Sequence, residues 1–73
     1  MPENFYVLMK VARTRADLTQ EELAARVGVT RKTINTIERG HFIPSTLLAL
    51  KLAQALGVKV EELFSLEAPG TER

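Results

Sequence analysis

Two short patterns of apolar residues meet at a glycine in the middle of the chain. In the first pattern, Leu23 and Val27 recur at the spacing of one face of an α-helix. Gly28 interrupts this pattern, and Thr30 supplies a hydroxyl that can cap the helix that follows. The sequence therefore predicts two consecutive helices that are joined by a tight turn.

The second helix of this pair, predicted from Arg31 to Arg39, separates apolar from polar side chains. On a wheel of about 100° per residue, Ile34 and Ile37 fall on one side. The opposite side holds only hydrogen-bonding or cationic side chains, which are Arg31, Lys32, Asn35, Thr36 and Arg39. Two helices joined at a glycine, the second of them with such a face, are typical of a helix-turn-helix that reads the major groove of DNA.

The same residues resemble the Cro/repressor-type helix-turn-helix family, also called the xenobiotic-response-element family. The resemblance is carried by LTQEELAARVGVTRKTINTIERG and by the continuation PSTLLALKLAQALGVKVEELF, and it covers roughly Met9 to Phe64. It implies an all-α fold, a five-helix repressor-type DNA-binding domain with a helix-turn-helix. We assign this domain to residues 1–66 and expect residues 67–73, which show no apolar stripe, to be a disordered tail.

The other three helices are predicted from their apolar positions. The first spans Phe5 to Ala16, and its expected core stripe is Phe5, Leu8, Met9, Ala12 and Ala16. The run FYVLM would also suit a strand, because aromatic and β-branched residues favour extended structure, but the stripe continues to Ala16 and favours a helix. Ser45 caps the fourth helix, Gly57 ends it, and Val58–Leu63 forms a short fifth helix.

The sequence also predicts the behaviour of three residues that lie between the helices. Asp17 stands where the family usually has a glycine in the left-handed conformation, which aspartate tolerates better than most residues. Lys59 replaces the family's usual Ser or Asp cap, so the fifth helix should begin weakly. Phe42 follows the third helix, where we expect it to cover the edge of the core.

The wheel and the resemblance together indicate which residues contact DNA. Arginine can form two hydrogen bonds to guanine and asparagine two to adenine, so Arg31 and Asn35 are the expected base-reading residues. Gln20 matches the glutamine with which the family touches the DNA backbone and braces its recognition helix. The complete expected DNA-binding set is Gln20, Thr30, Arg31, Lys32, Thr33, Asn35, Thr36 and Arg39.

A structural ion pair is implied by the resemblance. The family pairs the glutamate of its IERG motif with an arginine of the first helix, and Glu38 and Arg13 match these two positions. A buried carboxylate without a partner is costly, which gives the pairing a physical reason. Arg13 is therefore expected to join the first helix to the third.

A homodimer is expected, because the recognition helix of one small domain reads too few base pairs for useful specificity. Two apolar patches are left over after the core is assigned. Leu47 and Leu50 lie on the outer side of the fourth helix, near Leu66, and the family's dimer contact around the fifth helix favours this patch. Val7 and Val11 on the first helix form the alternative interface.

Composition argues against several other classes of protein. The chain of 73 residues has a net charge of +1, but between Arg26 and Arg39 four cationic residues accompany Glu38 alone, which suits a polyanionic partner. With no cysteine and His41 as the single histidine, no metal site is expected, and no catalytic residues, cofactor or small-molecule effector site are evident. No apolar run approaches the roughly 20 residues of a membrane span, and no signal-peptide pattern opens the chain. We expect a cytoplasmic, nucleoid-associated protein.

These observations predict a sequence-specific regulator of transcription that binds double-stranded DNA, acts as a repressor and is not an enzyme. It would read the major groove with helix 31–39 as a homodimer. The alternative is an antitoxin-like protein-interaction module with a toxin-like protein partner and autoregulatory DNA binding. The second, ligand-binding or multimerising domain of many family members is not expected in a chain of this length.

Overall fold

A computed structural model describes residues 4–70 of the chain. The elements, in chain order, are β1 (Tyr6–Val7), α1 (Met9–Arg15), α2 (Gln20–Val27), α3 (Arg31–Glu38), α4 (Thr46–Leu56), a 3-10 turn (Val60–Glu62) and β2 (Phe64–Ser65). The predicted, mainly helical fold is confirmed, with four α-helices among residues 4–70 in place of the five expected. None of these helices has the length and apolar character needed to span a bilayer.

The prediction of a helix from Phe5 is wrong, because α1 begins only at Met9. The residues before it form β1, which pairs antiparallel with β2 so that Val7 lies opposite Phe64. The rings of Phe5 and Phe64 stack with their centroids 5.9 Å apart. The backbone N–H of Leu8 donates to the carbonyl of Leu63 at 2.8 Å. Aromatic and β-branched side chains favour the extended form once a partner strand is available, and β2 supplies it.

The fifth helix is reduced to the single 3-10 turn Val60–Glu62. Lys59, at its start, has an extended backbone and gives the turn no side-chain cap. The carboxylate of Glu62 instead accepts the backbone N–H of Lys59 at 2.8 Å. With so short a segment before β2 begins, there is no room for a regular α-helix.

The turns on either side of α2 have the conformations that the sequence predicted. Asp17 has a φ of 62°, the left-handed conformation predicted for this position. Thr19 and Glu22 form a reciprocal capping box at the start of α2. Gly28 has a φ of 79° and ends α2 with its N–H bonded to the carbonyl of Ala24. This left-handed glycine fixes the angle at which α3 leaves α2.

One core joins all of these elements. Its fully buried large side chains are Met9, Leu23, Ile34, Ile37, Leu52 and Leu63. Val7 packs against this core from β1, whereas Ala16, which was expected to belong to it, is exposed. The expectation for Phe42 is also wrong, because its side chain is 45% exposed and lies outside the core. Since Ile34 and Ile37 turn one side of α3 inward, the opposite side of α3 faces solvent.

Candidate DNA-binding surface

The outer face of α3 carries the polar residues that the wheel placed there. Arg31, Lys32 and Arg39 are exposed, and Asn35 and Thr36 are half-buried beside them. Thr30 caps the helix, since its hydroxyl oxygen accepts the backbone N–H of Thr33 at 3.2 Å. The helix therefore presents cationic and hydrogen-bonding groups from its first turn to its last.

Gln20 connects α2 to this face through both ends of its amide. Its Oε1 accepts a hydrogen bond from a guanidinium N–H of Arg31 at 2.9 Å. Its Nε2 donates to Asn35 Oδ1 at 3.2 Å and to Glu38 Oε1 at 3.0 Å. The chemistry of the partners fixes the orientation of the amide, because a guanidinium only donates and a carboxylate accepts. Gln20 thereby positions the two predicted base-reading residues relative to each other.

Arg13 and Glu38 extend this network to α1. Arg13 Nε donates to Glu38 Oε2 at 2.6 Å, and a second guanidinium N–H reaches Oε1 at 3.3 Å. A third N–H of Arg13 donates to the carbonyl of Leu18 at 2.8 Å. The two side chains are only 12% and 5% exposed. Such a bidentate, largely desolvated pair fixes geometry more firmly than a surface ion pair.

A cleft of about 650 Å³ opens beside the network. Its lining includes Arg31 at the start of α3, Arg39 just after its end and Lys10 from α1, together with the acidic Glu21. Sequence reasoning missed Lys10, although its position three residues before Arg13 on a helix signals that the two side chains share one side. These cations make the cleft suitable for the phosphates of a nucleic-acid backbone.

A smaller cleft of about 190 Å³ lies on the other side of the outer face of α3. It is lined by Lys32, Thr33, Thr36 and Phe42. Phe42 was not among the predicted site residues. The available signal was a large aromatic residue within the short connection between α3 and α4.

The residues predicted for DNA binding thus lie on α3, at its cap and at the first position of α2. The predicted dimer residues Leu47, Leu50 and Leu66 are exposed. Val11, from the alternative patch, is exposed as well, but Val7 belongs to β1 and packs on the core. The alternative patch is therefore smaller than the sequence indicated.

Two helices joined by a left-handed glycine, with a cationic and hydrogen-bonding face on the second, define a helix-turn-helix DNA-binding protein. A sequence model described as helix-turn-helix matches residues 9–63. The chain belongs to the helix-turn-helix family of DNA-binding transcriptional regulators. This result confirms the resemblance to Cro/repressor-type proteins.

Individual relatives share most of the chain. The uncharacterized HTH-type transcriptional regulator YgzD of Bacillus subtilis is 48% identical over 59 residues, which are 81% of this chain and 89% of that protein. An HTH-type transcriptional regulator of Methanothermobacter thermautotrophicus is 47% identical over 66 residues, 89% of this chain and 96% of that protein. The crystal structure of the restriction-modification controller protein C.AhdI from Aeromonas hydrophila has a TM-score of 0.69 and 37% identity, covering 74% of this chain and 78% of that chain.

Proposed function

We propose that this protein is a dimeric, sequence-specific repressor that reads the major groove with α3. The observation that carries the proposal is the network in which Gln20 bonds Arg31, Asn35 and Glu38. Base readout requires side chains that are held in place before DNA arrives, because ordering them on binding costs free energy. The network supplies that order along one side of α3, from Arg31 at its start to Glu38 at its end.

The network leaves hydrogen-bonding capacity for bases. Arg31 donates one N–H to Gln20, and the other N–H groups of its guanidinium can still bond guanine O6 and N7. The Oδ1 of Asn35 accepts from Gln20 but has a second lone pair, so the amide can still pair with adenine N6 and N7. Arg31 and Asn35 are therefore the residues that we assign to direct base readout.

Phosphate contacts follow from the charges around the larger cleft. Arg39 and Lys10 lie on its rim, where their cationic groups can meet phosphate oxygens. These contacts would fix the register of the protein on the duplex without reading its sequence.

The dimer interface is proposed on α4. Leu50 is 56% exposed and lies along an apolar groove of about 620 Å³ that Ala53, Val58 and Val60 also line. Leu47 and Leu66 are exposed as well, and we propose that they belong to the same interface. A two-fold axis through such a self-complementary surface would place two copies of α3 in successive major grooves.

Selection of bound sequences from random duplex DNA, with the mass of the protein in solution measured alongside, tests this function. The expected result is an inverted repeat whose half-site centres lie about 34 Å apart, bound by a protein of dimer mass. A pool without an enriched sequence would show that α3 does not read bases. Enrichment of a single half-site by a monomer would contradict the dimer alone.

A further inference from the structure

Phe42 is a large aromatic side chain that the core does not use. It is 45% exposed and lies outside the buried cluster. Instead it lines the 190 Å³ cleft together with Lys32, Thr33 and Thr36 of the recognition helix. The smaller cleft therefore adjoins the polar face of α3, where an exposed aromatic ring is available to a ligand.

The hydroxyl groups in this cleft are already engaged within the protein. Thr36 Oγ1 donates to the backbone carbonyl of Lys32 at 2.8 Å. Thr33 Oγ1 lies 3.1 Å from Thr30 Oγ1, a hydrogen bond between the two hydroxyls. A threonine whose hydroxyl is bonded inward offers chiefly its methyl group to a ligand. The cleft thus combines threonine methyl groups, the ring of Phe42 and the aliphatic stem of Lys32.

The two sides of the recognition helix consequently differ in chemistry. The larger cleft is rimmed by Lys10, Arg31 and Arg39 and suits phosphate oxygens. The smaller cleft is mainly apolar, and its polar groups are the ammonium group of Lys32 and the threonine hydroxyls that are bonded within the protein. Among the base edges in the major groove, only thymine presents an apolar group, its 5-methyl.

We propose that Phe42, with Thr33 and Thr36, receives the 5-methyl group of a thymine in each half-site and is a specificity-determining residue. This inference rests on the proposed function, since it requires α3 to lie in the major groove. The ring supplies apolar contact area at little cost in side-chain entropy, because it has only two rotatable bonds. Removing one methyl group from such a contact is expected to weaken binding about fourfold.

The test replaces each thymine of the selected duplex, one at a time, by deoxyuridine, which keeps base pairing and removes only the methyl group. The intact protein should lose about fourfold in affinity at one thymine of each half-site. F42A should lose most of the difference between the thymine and deoxyuridine duplexes at that position, because only the threonine methyl groups remain in the cleft. I43A is the matched control, because Ile43 is 44% exposed, adjacent in the chain and not part of the cleft. It should retain the full difference between the two duplexes.

The outcomes separate this inference from the proposed function. A wild-type protein that is indifferent to deoxyuridine at every position, while still preferring its selected sequence, overturns the inference and leaves the proposed function standing. So does an F42A protein that binds all duplexes more weakly but keeps the thymine preference, because the ring then contacts the sugar-phosphate backbone. Absence of any sequence preference in the wild-type protein overturns both. Circular dichroism of F42A and I43A confirms that both variants are folded.

Discussion

Arg13 Nε lies 2.6 Å from Glu38 Oε2, and this contact joins α1 to the last turn of the recognition helix. Glu38 also accepts a hydrogen bond from Gln20, and Arg13 also donates to the carbonyl of Leu18. One ion pair therefore links three helices and the connection after α1. Its removal should affect both the stability of the fold and the placement of the DNA-binding face.

The first prediction concerns the energy of this pair. Arg13→Leu or Glu38→Leu alone should lower the free energy of unfolding by about 3 kcal/mol, because each leaves the other charge without its partner in a largely desolvated place. The double variant should lose less than the sum of the two single variants. Urea denaturation of all four proteins, followed by circular dichroism, measures this coupling. Additive losses would show that the two charges do not interact in solution.

The second prediction separates base readout from phosphate contact. Arg31→Ala should cost about 1–3 kcal/mol on the selected sequence and relax the preference at one base pair. Arg39→Ala should weaken binding to all duplexes alike and reduce the slope of log affinity against log salt by about one. Titrations at several salt concentrations, on selected and unrelated duplexes, measure both effects. Equal losses of specificity in the two variants would mean that the wrong end of α3 has been placed in the groove.

The third prediction concerns the dimer. Leu50→Glu should convert a dimer to a monomer while the helical signal stays intact, because it places a charge in the apolar groove beside α4. Sedimentation equilibrium measures the change in mass. Val11→Glu is the matched control, since Val11 is 52% exposed but lies on α1. If the control dissociates and Leu50→Glu does not, the interface lies on α1.

The fourth prediction uses the left-handed backbone of Asp17. Glycine adopts a φ of 62° without a steric penalty, whereas alanine does not. Asp17→Gly should therefore be more stable than Asp17→Ala by about 1 kcal/mol. Thermal unfolding of the two variants gives the difference directly. Equal stabilities would indicate that the turn after α1 relaxes to another conformation.

The pair of helices around Gly28 could be predicted because its determinants are local. The apolar spacing of α2, the capping hydroxyls of Thr19 and Thr30, and the left-handed glycine all act within a few residues of the chain. The start of α1 could not be placed in this way. Phe5 to Leu8 suit a strand or a helix, and the choice depends on β2, which lies at the far end of the described chain.

The sequence predicted which side of α3 carries the proposed site residues, but it did not predict the network that joins them. A wheel places Arg31 and Asn35 on the same side of α3, yet it contains no information about the distance to Gln20 on α2. The resemblance supplied the pairing of Arg13 with Glu38 but not the contact between Glu38 and Gln20. Phe42 was missed because it lies in a connection without periodicity, where a wheel does not apply.

The shared amide of Gln20 has a consequence for how this protein can acquire a new target. Asn35 and Glu38 both accept from the amide that bonds Arg31, so replacing Asn35 removes one of the two hydrogen bonds that orient this amide towards the arginine. A substitution at Asn35 is therefore expected to change the effect of a substitution at Arg31, so that the two effects are not additive. Under the proposed base readout, we expect a change of target to need coordinated exchange of Gln20, Arg31 and Asn35.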